Sequence, residues 1–384
     1  MAEEKRAKVT VIVPVHNTAQ YVGKCLDSLT GQTLAEIQVI CVNDGSTDGS
    51  GEILQAYAGK DSRIRIIEQA KQGPATARNA AMEIAEGEYC CFVDSDDWLE
   101  TEALEHLYAR AKEERLDVLF FAGKTEYDTE ELARNHNKYF DRSYQRDQTE
   151  GGACSGREML RRQIEAKQYW RSACLSLIRS GFLREAGIRF REGISYEDNL
   201  FTFLLCLRAG RAGAVAEQYY RRLLRDHSLI TSERDSRDLY GYVTSIADEI
   251  SLLQETEGIY GENEAFYAVI NQTVKRAYTI WKGLDEAKRE QMDSCFRNEA
   301  VGIREGDLYY SLFLSRFREE EERRRLVEEE KKLQSELRKA MWVQDVLRKE
   351  KQEVYDSSSY RLGHALLTPV RIIRRILKRK EVTE

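Results

Sequence analysis

Proline is scarce in this chain, with three among 384 residues. So few helix breakers leave room for long uninterrupted helices. No run of 18 apolar residues occurs, which excludes an ordinary membrane-spanning helix. Cysteine is present at positions 25, 41, 90, 91, 154, 174, 206 and 295, but never as C-x-x-C, and mostly inside apolar runs. That argues against a structural zinc site or a disulfide framework and for buried, reduced thiols in a cytosolic protein. Neither G-x-G-x-x-G nor G-x-x-x-x-G-K-[ST] appears, which disfavours a dinucleotide oxidoreductase or a P-loop enzyme. The opening MAEEKRAK is polar, unlike a secretory signal, so a cytoplasmic location is expected. There is no internal repeat.

What is present is a balanced, mildly acidic composition. Lys and Arg number 59 against 66 Asp and Glu, a net charge of −7, with 42% hydrophobic and 33% charged residues. Such a chain can bury a core and stay soluble, and it is not an obvious nucleic-acid binder. The first hundred residues alternate between strand-like and helix-like runs. VTVIVPV (9–15), IQVICV (37–42), IRIIE (64–68) and EYCCFV (88–93) read as buried strands. Between them, Tyr21, Val22, Cys25, Leu26 and Leu29 share a helical face. Ser46, Thr47 and Asp48 are candidate caps of a helix reaching Tyr57, and 72–85 is a third helix. Alternation of this kind predicts a parallel α/β sheet, with ligands at the carboxyl ends of the strands. PVHN, NDGSTD and DSDD all follow strand ends and can converge there. LDVLFFAG (116–123) and AGAVAEQYYRRL (212–223) read as further strands. Residues 172–210 contain a short strand and a helix starting near Tyr196, and the pattern is helical from 236 onward.

The segment YCCFVDSDDW (89–98) poses a physical question, because Asp94, Asp96 and Asp97 are packed closely after a strand. Grouped carboxylates repel unless a cation or hydrogen-bond donors offset them. Oxygen-only ligands favour Mg²⁺ or Mn²⁺, which also bind substrate phosphates. The plainer alternative is helix capping, for which Asp97 is the best placed.

The ordered set VTVIVPVHNTAQYVGKCLDSL, IQVICVNDGSTDGS, GPATARNAA and YCCFVDSDD resembles the inverting family 2 glycosyltransferases of the GT-A fold, as found in bacterial cell-surface polysaccharide synthesis. The likeness is close over 8–125 and looser to about 232, through EGISYEDNLF and YYRRLLRDHSLIT. It implies a nucleotide-sugar site formed by Pro14, Val15, His16, Asn17, Asp44, Arg78, Asp94 and Ser95. Within it Asp44 reads the base, Arg78 lies near the base and diphosphate, and Asp94 contacts the ribose. It implies Mn²⁺ or Mg²⁺ on Asp96, with His227 as a further candidate metal or diphosphate contact, and Arg222 and Arg225 as alternatives for the diphosphate. It implies Asp198 as the catalytic base with Glu197 in support. The chemistry is consistent: a carboxylate can accept from an imide N–H, Arg suits phosphate, and a hydroxyl nucleophile needs a base. Without the resemblance, Asp44 could simply shape a turn, Arg78 could form a surface salt bridge, and the Glu197-Asp198 pair could simply favour a helix N-terminus.

The implied architecture is an α/β GT-A domain over 1–232, a mostly parallel sheet between helices, with a nucleotide-sugar half (8–125) and an acceptor half (126–232). A helical region (233–316), a long charged helix (317–356) and a basic tail (357–384) follow. Leu326, Leu333, Ala340, Leu347 and Val354 recur every seven residues, but their partner positions are mostly polar. That makes a weak coiled-coil seam: a candidate homodimer contact through 317–356, or else a solvated or docked helix. Residues 366–380 set Leu366, Val370, Ile373 and Leu377 against Arg371, Arg374, Arg375 and Lys378. This face suits an anionic membrane surface, or packing on the protein itself. The expected partners are a UDP-sugar donor and a glycan or lipid-linked acceptor, at the inner face of the plasma membrane. The alternatives are a non-catalytic assembly protein using the C-terminal helix, and a nucleotidyltransferase on a similar fold. PVHNTAQ is not the basic, glycine-rich phosphate loop that a nucleotidyltransferase needs.

Overall fold

The computed structural model describes residues 7–135, 139–147, 152–226, 234–255, 263–285, 287–288, 325–339, 341, 344, 347–353 and 356–357. The chain divides into two compact units, Met1–Tyr309 and Tyr310–Glu384. In the first unit β1 (Val9–Val15), β2 (Ile37–Asp44), β3 (Ile64–Gln69) and β4 (Tyr89–Phe92) alternate with α1 (Val22–Thr30), α2 (Ser50–Ala58) and α3 (Pro74–Glu83). Then come β5 (Trp98–Leu99), α4 (Ala103–Glu113), β6 (Val118–Tyr127), α5 (Glu130–Asn135), α6 (Tyr139–Arg142) and α7 (Gly156–Glu165). The unit continues through β7 (Ser176–Arg179), α8 (Ser180–Glu185), α9 (Asp198–Arg208), β8 (Ala212–Leu224), α10 (Ser236–Glu255) and α11 (Glu264–Gly283).

The β-branched runs form strands because they can be buried on both faces. Val9, Val11, Ile12, Val13 and Val15 of β1 are fully buried, each worth roughly 1.5–3 kcal/mol in removed apolar surface. On α1 the buried stripe is Val22, Cys25, Leu26 and Leu29, as the helical spacing predicts; Tyr21 lies outside the helix as its N-cap.

The eight strands form one sheet in the order β3-β2-β1-β4-β7-β6-β8-β5. The β3-β2-β1-β4 half is parallel, with Val15 opposite Asn43 and Asp44 opposite Gln69, so the strand ends meet at one edge. The other half is mixed, within the mostly parallel sheet expected. β7 runs antiparallel to both β4 and β6, β8 runs parallel to β6, and β5 runs antiparallel to β8. Trp98 and Leu99 therefore form an edge pairing with Tyr220 and Arg221 rather than a helix start.

Two capping expectations are corrected. Helix α2 is preceded by Gly49 at φ 90° and has no side-chain cap from Ser46 or Thr47. Asp48 instead bridges, accepting from the Ser50 amide and hydroxyl and from the Ala19 amide. Asp97 caps no helix; its role is described below. In the second unit residues 325–339 are helical, with Leu326, Leu333 and Leu337 exposed. Ala340, Val354, the basic tail at 366–380 and His227 lie outside the described residues. No described helix is long and apolar enough to cross a membrane.

Candidate active site

The site forms where the parallel strands end. After β1, His16 Nδ1 hydrogen-bonds the Asp44 carbonyl at 2.8 Å. Asn17 adopts φ 52°; its amide donates to Ser46 Oγ, and its Oδ1 accepts from the Thr47 amide. These bonds tie PVHN to NDGSTD, with Val15 buried beneath them and Pro14 half-buried. Gly45 is required at the turn: its φ is +68°, and a Cβ would lie 2.8 Å from the Lys71 amide nitrogen.

Asp44 is buried, and its carboxylate organises the neighbouring loop. Oδ1 accepts from Gln69 Nε2 and the Gln72 amide, and Oδ2 accepts from the Gly73 amide, all at 2.7–2.8 Å. Asp44 is thus a loop-former in this structure. A carboxylate has about four acceptor positions, so capacity remains for a further donor.

The three acids after β4 have different environments. Asp94 is the open one, with its side chain 42% exposed. Asp96 pairs with Arg225 Nε at 2.8 Å, and the Arg225 guanidinium lies 5.0 Å from the Tyr21 ring. Asp97 is buried: Oδ2 accepts from the Tyr220 hydroxyl at 2.7 Å, and Oδ1 accepts from the Leu223 amide at 2.7 Å. Burial, reinforced by Asp94, pushes the Asp96 carboxyl up, and burial with Asp96 and Asp94 pushes Asp97 well up. Repulsion within the cluster is therefore offset by an arginine, a tyrosine and a backbone amide. Ser95 is buried and accepts from the Thr18 hydroxyl at 2.9 Å.

Arg78 joins this cluster to α9. It comes from the first turns of α3, is only 4% exposed, and so is not a surface salt bridge. Nη2 donates to Asp94 Oδ1 at 2.7 Å, Nη1 donates to Glu197 Oε1 at 2.5 Å, and Asp198 Oδ1 lies 3.9 Å from Nη1. Burial opposes its charge, but Asp94, Asp198 and Glu197 outweigh that and hold it firmly protonated. Glu197 is the N-cap residue of α9 and Asp198 its first residue. Burial pushes the Asp198 carboxyl up to about 7, with Arg78 pulling it down and Glu197 and Asp94 pushing it up. A carboxyl poised there can accept a proton near neutral pH.

The structure thus brings Arg78, Asp94, Glu197 and Asp198 into direct contact, with Asp96 alongside Asp94. Arg222 is elsewhere: buried, donating to Thr125 and Ser143 and stacked 4.2 Å from the Tyr144 ring, it is structural rather than a diphosphate contact. Trp281 is core, and Trp170 donates to the Gln145 carbonyl. Sequence reading missed Thr18, Asn79 and Tyr220. Of these only Asn79 carried a signal, as Arg78's neighbour in ARN. Its amide donates to the Phe190 carbonyl and Glu192, and its Oδ1 accepts from the Phe190 amide.

Residues 10–168 match the model of glycosyl transferase family 2. The Streptococcus pneumoniae glycosyltransferase GlyA is 48% identical over 111 residues, which are 29% of this chain and only 16% of that protein. The uncharacterised Escherichia coli glycosyltransferase YibD is 25% identical over 81% of this chain and 92% of its own length. In structure, S. aureus TarS 1–349 in complex with UDP-GlcNAc superposes with a TM-score of 0.53 at 23% identity, covering 71% of this chain and 83% of that one. These likenesses make residues 10–168 a glycosyl transferase family 2 domain, and the fold around it GT-A-like.

Proposed function

We propose that the chain moves a sugar from a UDP-sugar to a hydroxyl of a glycan or lipid-linked acceptor in cell-surface polysaccharide synthesis, with inversion at the anomeric carbon. The observation that carries this reading is Arg78, which holds the strand-end acid Asp94 and the Glu197-Asp198 pair in one cluster. A donor at the strand edge and a carboxylate at its far end are the two parts that a direct displacement needs. The UDP-GlcNAc complex of TarS 1–349 supports the choice of nucleotide.

Asp198 takes the acceptor hydroxyl's proton as the oxygen attacks, and Glu197, held by Arg78, fixes the start of α9. Asp44 offers its spare acceptor capacity to the base, flanked by Pro14, Val15, His16 and Asn17. Asp94 faces the ribose, and Ser95 shapes the loop between the acids. Among the described residues no group of three or more His, Cys, Asp or Glu is clustered to hold a metal by itself. Asp96 and the exposed Asp94 nevertheless supply the oxygen ligands that Mg²⁺ or Mn²⁺ accepts when phosphate oxygens and water complete its shell. Such an ion neutralises charge on the leaving diphosphate. His227 is a further candidate ligand. Attachment to an anionic membrane through 366–380 and pairing of two copies through 317–356 complete the proposal.

The test is nucleotide release from a panel of UDP- and GDP-sugars by the purified chain with Mn²⁺ or Mg²⁺. Release from one donor, abolished by chelator and by Asp96→Ala, is expected. Metal-dependent release from a GDP-sugar alone would overturn the UDP assignment. Catalysis unaffected by Asp96→Ala would overturn the role of the acids.

A further inference from the structure

The Glu197-Asp198 pair begins α9, which touches the segment leading into it at Phe190, stacked 3.9 Å from Phe201, and at the Tyr196 carbonyl, which accepts from the Asn199 amide; the other supports come from two further helices. Residues 190–196 run between α3 and α10. On the α3 side Asn79 brackets Phe190 through both its amide and its carbonyl, and it also binds Glu192. On the α10 side three contacts occur. Asp248 Oδ2 lies 3.4 Å from Arg191 Nε. Gly241 lies flat against Ser195, so that a Cβ there would fall 2.2 Å from the Ser195 carbonyl oxygen and 3.1 Å from its amide nitrogen. The buried ring of Tyr242 stacks on Tyr196, with centroids 4.5 Å apart and planes at 28°. Tyr196 has φ 62°, a conformation that a bulky side chain holds only when its surroundings enforce it. The next residues are Glu197 and Asp198.

We propose that α10 is part of the catalytic apparatus, with Gly241 and Tyr242 as positioning residues that hold Ser195 and Tyr196 so that Asp198 faces the acceptor hydroxyl. The inference rests on Asp198 being the base. Gly241 sets the distance, because only a residue without a side chain lets the helix backbone reach the Ser195 peptide. Tyr242 sets the conformation, because its ring covers the side chain whose backbone is left-handed. Both residues lie beyond 168, where the match to the family model ends, so the base and its support come from the chain's later part. A misplacement of about 1 Å at a reacting group can cost roughly 10²-fold in rate, so a small shift of this helix is enough to matter.

The experiment uses the full chain and four variants: Gly241→Ala, Tyr242→Ala, Tyr242→Phe and Asp198→Asn. It measures kcat and KM for UDP release from the UDP-sugar that the wild type turns over fastest, UDP binding by calorimetry, and hydrogen exchange at 194–199. Gly241→Ala and Tyr242→Ala should lose ~10–100-fold in kcat, with KM and UDP affinity little changed and faster exchange at 194–199. Tyr242→Phe keeps the ring and should restore wild-type kcat and exchange. Should Gly241→Ala fail to fold, the Tyr242 pair decides alone. If Asp198→Asn loses activity while Tyr242→Ala keeps wild-type kcat and exchange, the positioning role is overturned and the base stands. If Asp198→Asn keeps full activity, the base assignment falls and this inference falls with it. Equal losses in kcat and UDP affinity for Tyr242→Ala would mark general destabilisation and count against positioning.

Discussion

The two halves of the sheet are finished to different standards. In the parallel half, β1 to β4, the buried polar side chains bind neighbouring loops; among described residues before 136, only Arg78 Nε is a buried side-chain atom without a partner. In the antiparallel half and the helices on it, Asp198 Oδ1, Asn199 Nδ2, both ends of the Gln163 amide, Arg171 Nη1, Ser245 Oγ and both Glu249 oxygens lack a hydrogen-bond partner among described residues. Saturated groups make a rigid donor platform. Unsaturated ones keep polar capacity and cost stability. On the proposed roles, the nucleotide end is built for fit and the base end for reactivity, and the base end depends on its neighbours to stay in place.

The comparison can be broken most sharply at the base. Asp198→Asn should lower the sugar-transfer rate by about 10²–10⁴-fold while calorimetry shows UDP binding retained. With Asp198 as the proposed base, the carboxylate form is the active one, and burial pushes that carboxyl up to about 7, so the rate should rise with pH through about 7 and then level off. A flat profile from pH 5.5 to 8.5 would contradict it. Next comes the joint between the halves. Arg78→Ala leaves Glu197 and Asp94 without their cation and should cost about 3–5 kcal/mol of stability by denaturant titration. A smaller effect belongs to the saturated platform. Asp44→Asn weakens three bonds to the 69–73 loop and should cost about 2 kcal/mol and ~10-fold in UDP affinity.

The last effect, spread over several pH units, is expected at Glu249 in the unsaturated half. Burial pushes the Glu249 carboxyl from 4.5 up to about 8. Between those values the folded chain holds a proton that the unfolded chain has released. The contribution of this group is then greatest at low pH and falls by up to about 1.4 kcal/mol per pH unit until about pH 8. Glu249→Gln should flatten that slope and raise the melting temperature at pH 8 by about 3 °C or more. An unchanged slope would mean that Glu249 is ionised and paired in solution.

Legibility in the sequence divides along the same line. β1, β2, β3 and β4 are continuous β-branched or apolar runs ending in polar loops, and local chemistry is enough to find them. β7, four residues long, is legible as the short strand within 172–210, whereas β5 is two residues long and exists because of its pairing with β8, so no window of sequence contains its cause. The site follows suit. Asp44, Asp94 and Asp96 announce themselves by crowding acids after strands. Glu197 and Asp198 were legible only through the family resemblance, since acids at a helix start are ordinary. The Arg78 bridge spans 119 residues and the Asp96–Arg225 pair 129, separations over which charge pattern says nothing. Arg222 and Arg225 looked interchangeable as cations, yet one is buried in a nest of aromatic rings and the other meets the acids.

The Tyr220 hydroxyl stands between the Asp97 carboxylate and the Asp94 amide, which donates to it at 3.3 Å. Asp97 also takes the Leu223 amide, and Glu100 donates its amide to the Tyr219 carbonyl. The DSDD loop is thus laced to a strand made more than a hundred residues later. As the polypeptide leaves the ribosome, the parallel strands can pair early, since domains fold from the N-terminus as units. The acid loop must wait for β8 to gain these ties. The nascent chain therefore carries its acids unlaced until the later strand has emerged.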